Sequence, residues 1–257
     1  MRIVSIILTL PLMLIPVLQT YATASQDPWV LLQEAFNKPD AVSQPTASVK
    51  ESDPWVLLRT VFLPFSEDEE KKAVDDPGAG KSLAQKINRR LAPYDPFISR
   101  ASALFDIPGP VIKSVIMAES GGNPDAKTRL SSAKGLMQTI DTTFAMARKG
   151  LAGMGITIKN DPFDPEASVM AGTWYLDRMY KRALADRKMV KPERQDTASW
   201  RYPLEYYYAG PAHGVKQKNK ILVFSKGTKR VIDKRAYSKK IQTWAEILDR
   251  SRDRERS

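Results

Sequence analysis

Cysteine is absent from the 257 residues, and histidine occurs once, as His213. Without thiols there is no disulfide, no thiolate metal site and no cysteine nucleophile. A lipid anchor on a cysteine behind an export signal is excluded for the same reason. His213 stands beside a Gly/Pro turn with no partner that would make it a metal ligand or a base, and it reads as a surface residue. Asp161, Asp164 and Glu166 lack the regular alternation of a calcium loop and read as helix-capping acids. No metal and no cofactor is therefore expected. The one long apolar run, Ile3 to Leu18, lies behind Met1-Arg2 and is followed by Ala22-Thr23-Ala24. This is the pattern of an export signal cut after Ala24. Pro11, Pro16 and the shortness of the run weigh against an uncleaved membrane anchor.

Charge of one sign is scarce at the C-terminal end. From Ala212 to Ser257 there are fourteen Lys and Arg against five Asp and Glu, so most of the net charge of +11 sits there. Such a tail suits a polyanion. Export argues against nucleic acid and favours an anionic envelope polymer, a phospholipid surface or an acidic protein; plain solubility is the alternative.

Residues 25–88 are rich in Ser, Pro, Asp, Glu and Lys and read as a flexible linker. Two near copies interrupt it: Asp27-Pro-Trp-Val-Leu-Leu-Gln-Glu-Ala-Phe36 and Asp53-Pro-Trp-Val-Leu-Leu-Arg-Thr-Val-Phe62. Each has a capping Asp, a first-turn Pro and an apolar face. They read as tandem docking segments on a tether, or as apolar arms that pack on the main domain.

Beyond about Leu83 the periodicity is helical. It predicts helices over Asp95–Phe105, from Pro110 through Glu119, over Asp141–Lys149, from Asp164 to about Asp186, over Pro203–Ala209 and over Ser238–Arg250. A polar loop is expected at 186–202. Ile221–Phe224 and Val231–Ile232 form the arms of a small β-hairpin. Gly121 and Gly122 stop the second helix. Gly172 permits a close helix approach.

Glu119 falls on the apolar stripe of Ile112, Val115 and Ile116. A carboxyl half-buried there retains its proton toward neutral pH and becomes a general acid, and the negative end of the helix dipole acts in the same direction. Gln138 carries a donor and an acceptor, suited to an acetamido group or a hydroxyl of the sugar ligand that the resemblance described next implies. For that ligand Met137 offers a soft apolar floor, with core packing as its alternative.

The order Glu119-Ser120, then Gly135-Leu-Met-Gln138, then Tyr207-Tyr-Ala-Gly-Pro211, then Tyr237-Ser-Lys-Lys-Ile241 resembles the catalytic domain of the soluble lytic transglycosylases (SLT). Their mainly α fold is similar to goose-type lysozyme. Asp164-Pro-Glu166 and Ala171-Gly-Thr-Trp-Tyr-Leu176 fit the same pattern. The resemblance covers about residues 90–250. It implies that Glu119 is the single acid/base that cleaves peptidoglycan glycan strands, with 1,6-anhydro ends as product. It implies that Tyr207 lines the cleft and that Tyr237 hydrogen-bonds the carboxyl. Ser120, Met137, Gln138, Tyr207, Tyr208 and Tyr237 are the expected substrate-side residues, with Ser120 orienting Glu119 or the nearby chain. The pattern departs at Tyr208, where the family usually has Asn, and at Ser132-Ala133, where it has Gly-Ala. These departures bear on subsite preference. The basic stretch Val215–Ala236 is longer than the family's usual link.

The expected organisation is a signal peptide over 1–24, a linker with the tandem motifs over 25–88, an SLT-like catalytic domain over 89–250 and a basic tail over 251–257. The expected location is the periplasm, with no stable membrane insertion after signal cleavage. The partners expected are peptidoglycan and a protein docking on 27–36 and 53–62. The alternatives are a hydrolytic muramidase, which needs a second carboxylate for which no motif position exists, and a non-catalytic wall-binding adaptor.

Overall fold

The computed structural model describes residues 66–256 apart from 129, 130, 187, 190, 191, 226 and 227. The export signal and both Asp-Pro-Trp segments lie outside the described residues.

The fold is helical with one small antiparallel sheet. In chain order it runs α1 (Glu67–Asp75), α2 (Pro77–Leu91), a 3-10 turn (Ala92–Tyr94), α3 (Asp95–Phe105), α4 (Gly109–Ser120), α5 (Asp141–Gly153) and α6 (Pro165–Ala185). A 3-10 turn (Thr197–Trp200), α7 (Arg201–Ala209), the one-turn α8 (Pro211–Gly214), β1 (Lys220–Ser225), β2 (Thr228–Asp233) and α9 (Lys234–Arg256) follow. The strands pair with Ile221 opposite Ile232 and Leu222 opposite Val231. Ile221 and Ile232 are buried, while Leu222 and Val231 are exposed, as alternation along a strand requires.

Local chemistry sets the helix starts. Ser66 and Glu69 form a reciprocal capping box at α1. Asp76 caps α2 with Pro77 in its first turn, and Asp164 caps α6 ahead of Pro165 in the same way. Asp233 ends β2 and also caps α9, its Oδ1 accepting from the backbone of Arg235 at 3.1 Å and of Ala236 at 2.9 Å. The sheet therefore hands the chain directly to the last helix, which begins at Lys234 and not at Ser238.

Two helices organise the core. α9 packs on α4, α7 and α2, while α6 packs on α7, α3 and α5. α4 is buried all round, from Pro110 to Ser120 with the exception of Lys113. It is the central helix, not a surface helix with one apolar stripe. Gly172 on α6 provides the expected close approach: a Cβ there would lie 2.5 Å from the Met137 side chain.

Two expectations from the sequence need correction. The linker does not extend to residue 88, because α1 and α2 are formed and Ala73, Leu83, Ala84, Ile87 and Leu91 are buried. Their polar faces keep the average composition linker-like, while the buried residues still follow helical spacing. The stretch 186–202 is not simply a polar loop. It ends in a 3-10 turn whose Trp200 is fully buried, with its Nε1 donating to Arg194 O at 2.7 Å. Arg194 in turn bonds Asp177 at 2.7 Å and Phe105 O at 2.8 Å. One tryptophan and one arginine thus tie a polar sequence to the core.

Among the described residues no helix is long and apolar enough to cross a membrane. The α6 packing generates a first prediction. Gly172→Ala overpacks the contact with Met137 and lowers stability by about 1–3 kcal/mol in urea unfolding. An unchanged midpoint would show that the two segments are not in close contact.

Candidate active site

The site is built where α4 stops. Gly121 and Gly122 take left-handed conformations, φ 59° and 78°, and turn the chain away from the helix axis. Their carbonyls are held from outside: Arg90 Nε of α2 donates to Gly121 O, and Tyr94 Oη donates to Gly122 O at 3.3 Å. A cation at the C-terminal end of α4 complements the helix dipole. The last turn of α4 is therefore fixed by α2 and the turn that follows it.

The loop from 121 to 140 folds back on this turn. Ser120 Oγ donates to Leu136 O at 2.8 Å, with Ile116 O at 3.1 Å as a second acceptor, and it receives Gly122 N–H at 3.2 Å. Gly135 has φ 74°, and a Cβ at that position would lie 1.9 Å from Pro162 O, so no other residue fits. Gln138 also has a left-handed backbone, φ 46°. Its Nε2 donates to Ala126 O and Gly135 O, each at 2.9 Å. Gly135-Leu-Met-Gln138 thus forms a wall tied to α4 through Ser120 and to α6 through Met137 N–H on Ser168 Oγ, 3.3 Å.

Three tyrosines from two helices face this wall. Tyr237 on α9 donates its hydroxyl to Glu119 Oε1 at 2.6 Å. Tyr207 on α7 donates to Met137 O at 2.7 Å and lies 5.4 Å, ring to ring, from Tyr175 on α6. Tyr208 stacks on Tyr237 with centroids 4.4 Å apart and planes 5° from parallel. The first turn of α9 is held by a buried ion pair. Lys234 Nζ lies 3.5 Å from Glu205 Oε2 of α7 and donates to Gly214 O at 2.7 Å. Tyr237 is one turn beyond this anchor.

Glu119 is 9% exposed. Burial pushes its carboxyl up to about 8, although the Tyr237 hydrogen bond pulls it down. At neutral pH the folded protein therefore holds Glu119 protonated. With Oε1 accepting from Tyr237, the proton belongs on Oε2. Burial, followed by the Glu119 charge, keeps the Tyr207 and Tyr237 phenols well above their ordinary range, so both remain donors.

The structure brings Glu119, Met137, Gln138, Tyr207, Tyr208 and Tyr237 together, but not all in the roles expected. Ser120 is fully buried, and its hydroxyl is used by Leu136, Ile116 and Gly122. It is a tie between helix and loop, the second of the two expectations for it, and its hydroxyl bonds the nearby chain instead of Glu119. Met137 is fully buried against Gly172 and Thr173, so core packing is the correct reading of its side chain and a sugar floor is not. Gln138 spends its amide nitrogen on two backbone carbonyls. Asp164 and Asp161 are engaged as caps, with Ala167 N and Phe163 N, and Glu166 pairs with Arg100. His213 is half-buried, beside Lys234.

Arg90, Tyr94 and Tyr175 contribute to the site and were not singled out from the sequence. Arg90 and Tyr94 carry no local motif, and their contacts reach 31 and 28 residues along the chain. Tyr175 stands inside Ala171–Leu176 and could have been chosen there as a buried polar ring on the face opposite the cap.

A mainly helical domain with a buried glutamic acid at a helix end, hydrogen-bonded by a phenol, has the geometry that general-acid chemistry requires. Residues 96–222 match the family described as the Transglycosylase SLT domain. The chain is similar to the protein named Membrane-bound lytic murein transglycosylase C of Photorhabdus laumondii, 34% identical over 103 residues, 39% of this chain and 28% of the relative. The protein of the same name from Yersinia pestis strain Pestoides F is 30% identical over 130 residues, 50% of this chain and 34% of the relative. The chain thus spans about a third of the length of the curated relatives it matches. Tyr237 and Arg90 lie on either side of the matched residues, so the site is completed by helices the family match does not include.

The raised carboxyl has a consequence for stability. In the folded state Glu119 holds its proton up to about pH 8, whereas in the unfolded chain it releases it near 4.5. The folded state binds more protons between these values, so stability falls as pH rises through that window, by on the order of 4–5 kcal/mol in total. Glu119→Gln removes this dependence. Urea unfolding at pH 5, 7 and 9 is expected to show the variant gaining on the wild type as pH rises; parallel curves would mean the carboxyl is not held protonated.

Proposed function

We propose that the chain is an exported peptidoglycan lytic transglycosylase that cleaves the MurNAc–GlcNAc β-1,4 bond and leaves 1,6-anhydro-MurNAc ends. The observation that carries this reading is the isolation of the Glu119 carboxyl. Burial and one phenol set its proton affinity, with no second carboxylate or cation entering among the described residues. Hydrolysis of a glycoside ordinarily uses two carboxyl groups, one to protonate the leaving oxygen and one to activate water. A single carboxyl suffices if the nucleophile belongs to the substrate.

The steps balance. Glu119 Oε2–H protonates the glycosidic oxygen as the C1–O bond breaks, and the GlcNAc side leaves as an alcohol. The carboxylate formed takes the proton of the C6 hydroxyl, whose oxygen closes on C1. Glu119 ends protonated and no water is consumed. The C6 hydroxyl is held within the same molecule as C1, which supplies its proximity. Tyr237 on Oε1 stabilises the transient carboxylate and fixes which oxygen meets the substrate. Tyr207 stands near Glu119 and is tied to the Gly135–Gln138 wall through Met137 O, and that wall is held by Ser120 and Gly135.

The names of the relatives, both lytic murein transglycosylases, support the substrate class. Purified protein on isolated peptidoglycan is expected to release muropeptides one water lighter than the hydrolysed forms by mass spectrometry. Glu119→Gln is expected to lower the rate by about 10²–10⁴-fold or more. Reducing ends in place of anhydro ends would identify a muramidase, and a fully active variant would remove Glu119 from the chemistry.

Placement in the periplasm follows from the export signal read in the sequence. We infer that the repeated Asp27–Phe36 and Asp53–Phe62 segments recruit the enzyme to a protein partner, such as an envelope-spanning apparatus. The support is the near identity of the two copies and their spacing along one tether. Deleting 25–62 behind an intact signal is expected to leave cleavage of isolated wall unchanged and to disperse the protein in cells by fluorescence imaging. An unchanged cellular pattern would dismiss the docking role.

A further inference from the structure

The shielding of Glu119 has a second layer that the acid and its phenol do not supply. Tyr237 donates to Glu119 from one edge of its ring, and its face is covered by Tyr208. The two rings are nearly parallel, 5° apart, at 4.4 Å between centroids. Offset parallel rings at this separation are a favourable aromatic arrangement. Tyr237 is 5% exposed, whereas Tyr208 is half-exposed, so the stacked face of Tyr237 is covered by a ring that itself meets solvent. The two come from different helices, α7 and α9, which pack on each other. The stack therefore spans the joint between the helix that carries Tyr207 and the helix that carries Tyr237.

We propose that Tyr208 is a positioning residue that stacks on Tyr237, holds its hydroxyl on Glu119 and keeps water from the pair. This deepens the reading of Glu119 as the acid and depends on it for its catalytic consequence. The groups that face the carboxyl are phenols: Tyr237 from α9 and Tyr207 from α7, with Tyr175 of α6 behind Tyr207. The charged residues of neighbouring elements are engaged elsewhere or point outward. Arg90 of α2 is on Gly121 O, Lys113 of α4 is on Asp95, and Lys134 of the loop is on Asp141. Asp125 and Lys127 are exposed. Exclusion of water is thus the dominant influence on the Glu119 proton, and Tyr208 adds a solvent-facing ring over Tyr237, the phenol bonded to it.

Three features follow. The stack is made by the ring of Tyr208, so Tyr208→Phe preserves it and with it the behaviour of the carboxyl. Tyr208→Ala admits water beside Tyr237 and lets the carboxyl ionise at lower pH. Tyr208→Asn, which retains a polar side chain at this half-exposed helix position, behaves like the alanine variant and covers the case in which alanine disturbs α7.

The test is a carbon-13 carboxyl titration of glutamate-labelled full-length protein without substrate, the Glu119 signal being assigned by its loss in Glu119→Gln. The titration midpoint of Glu119 is expected to match the wild type in Tyr208→Phe and to fall by about one pH unit or more in Tyr208→Ala and Tyr208→Asn. The alkaline limb of the pH–rate profile on peptidoglycan is expected to move in the same direction. Midpoints in Tyr208→Ala and Tyr208→Asn that coincide with the wild type, or that rise, overturn the proposal. A wild type that titrates high but releases no product overturns the proposed function and leaves the shielding role intact, so the two failures are distinguishable.

Discussion

The structure depends on keeping one carboxyl out of water. Glu119 sits at the end of a helix buried nearly all round and accepts a hydrogen bond from Tyr237. Burying an unpaired carboxylate is costly, so the protein avoids the charge by retaining the proton. Much of the surrounding architecture serves that condition. α9 is pinned by Lys234 and Glu205 so that Tyr237 arrives at the right edge, α7 supplies two further rings, and the Gly135–Gln138 wall closes the other side. The resulting acid is a weak one, matched to neutral pH, where it can both give a proton and accept one back.

The division of labour among the motif residues is more specific than proximity implies. Glu119 and Tyr237 are the pair to which the proposed chemistry is assigned. Ser120, Gly135 and Met137 are structural: they fix where the wall stands relative to the acid. The amide nitrogen of Gln138 clasps the same loop.

The fold was legible in the sequence wherever punctuation accompanied periodicity. Asp164-Pro165 and Pro108-Gly-Pro110 marked helix starts, Gly121-Gly122 marked a stop, and Ile221–Phe224 with Val231–Ile232 marked the arms of the hairpin. It was not legible where polar faces dominated short helices, as in α1 and α2, or where one residue reversed the character of a segment, as Trp200 does for 186–202. In the site, Glu119 and Tyr237 could be placed from the order of motifs, while the burial of Ser120 and Met137 could not, because it depends on helix packing and on the close approach at Gly172. Arg90 and Tyr94 were invisible because a side chain that holds a distant backbone carbonyl leaves no local pattern.

The match to a known domain ends before α9 begins and starts after α2 has finished. Both excluded helices touch the acid's surroundings, one through Tyr237 and one through Arg90. The central claim is that Glu119 carries its proton at neutral pH, and infrared difference spectroscopy between wild type and Glu119→Gln tests it most directly. The account predicts a protonated carboxyl carbonyl band for Glu119 at pH 7 that gives way to a carboxylate band near pH 8. A carboxylate band for Glu119 already present at pH 6 would contradict it.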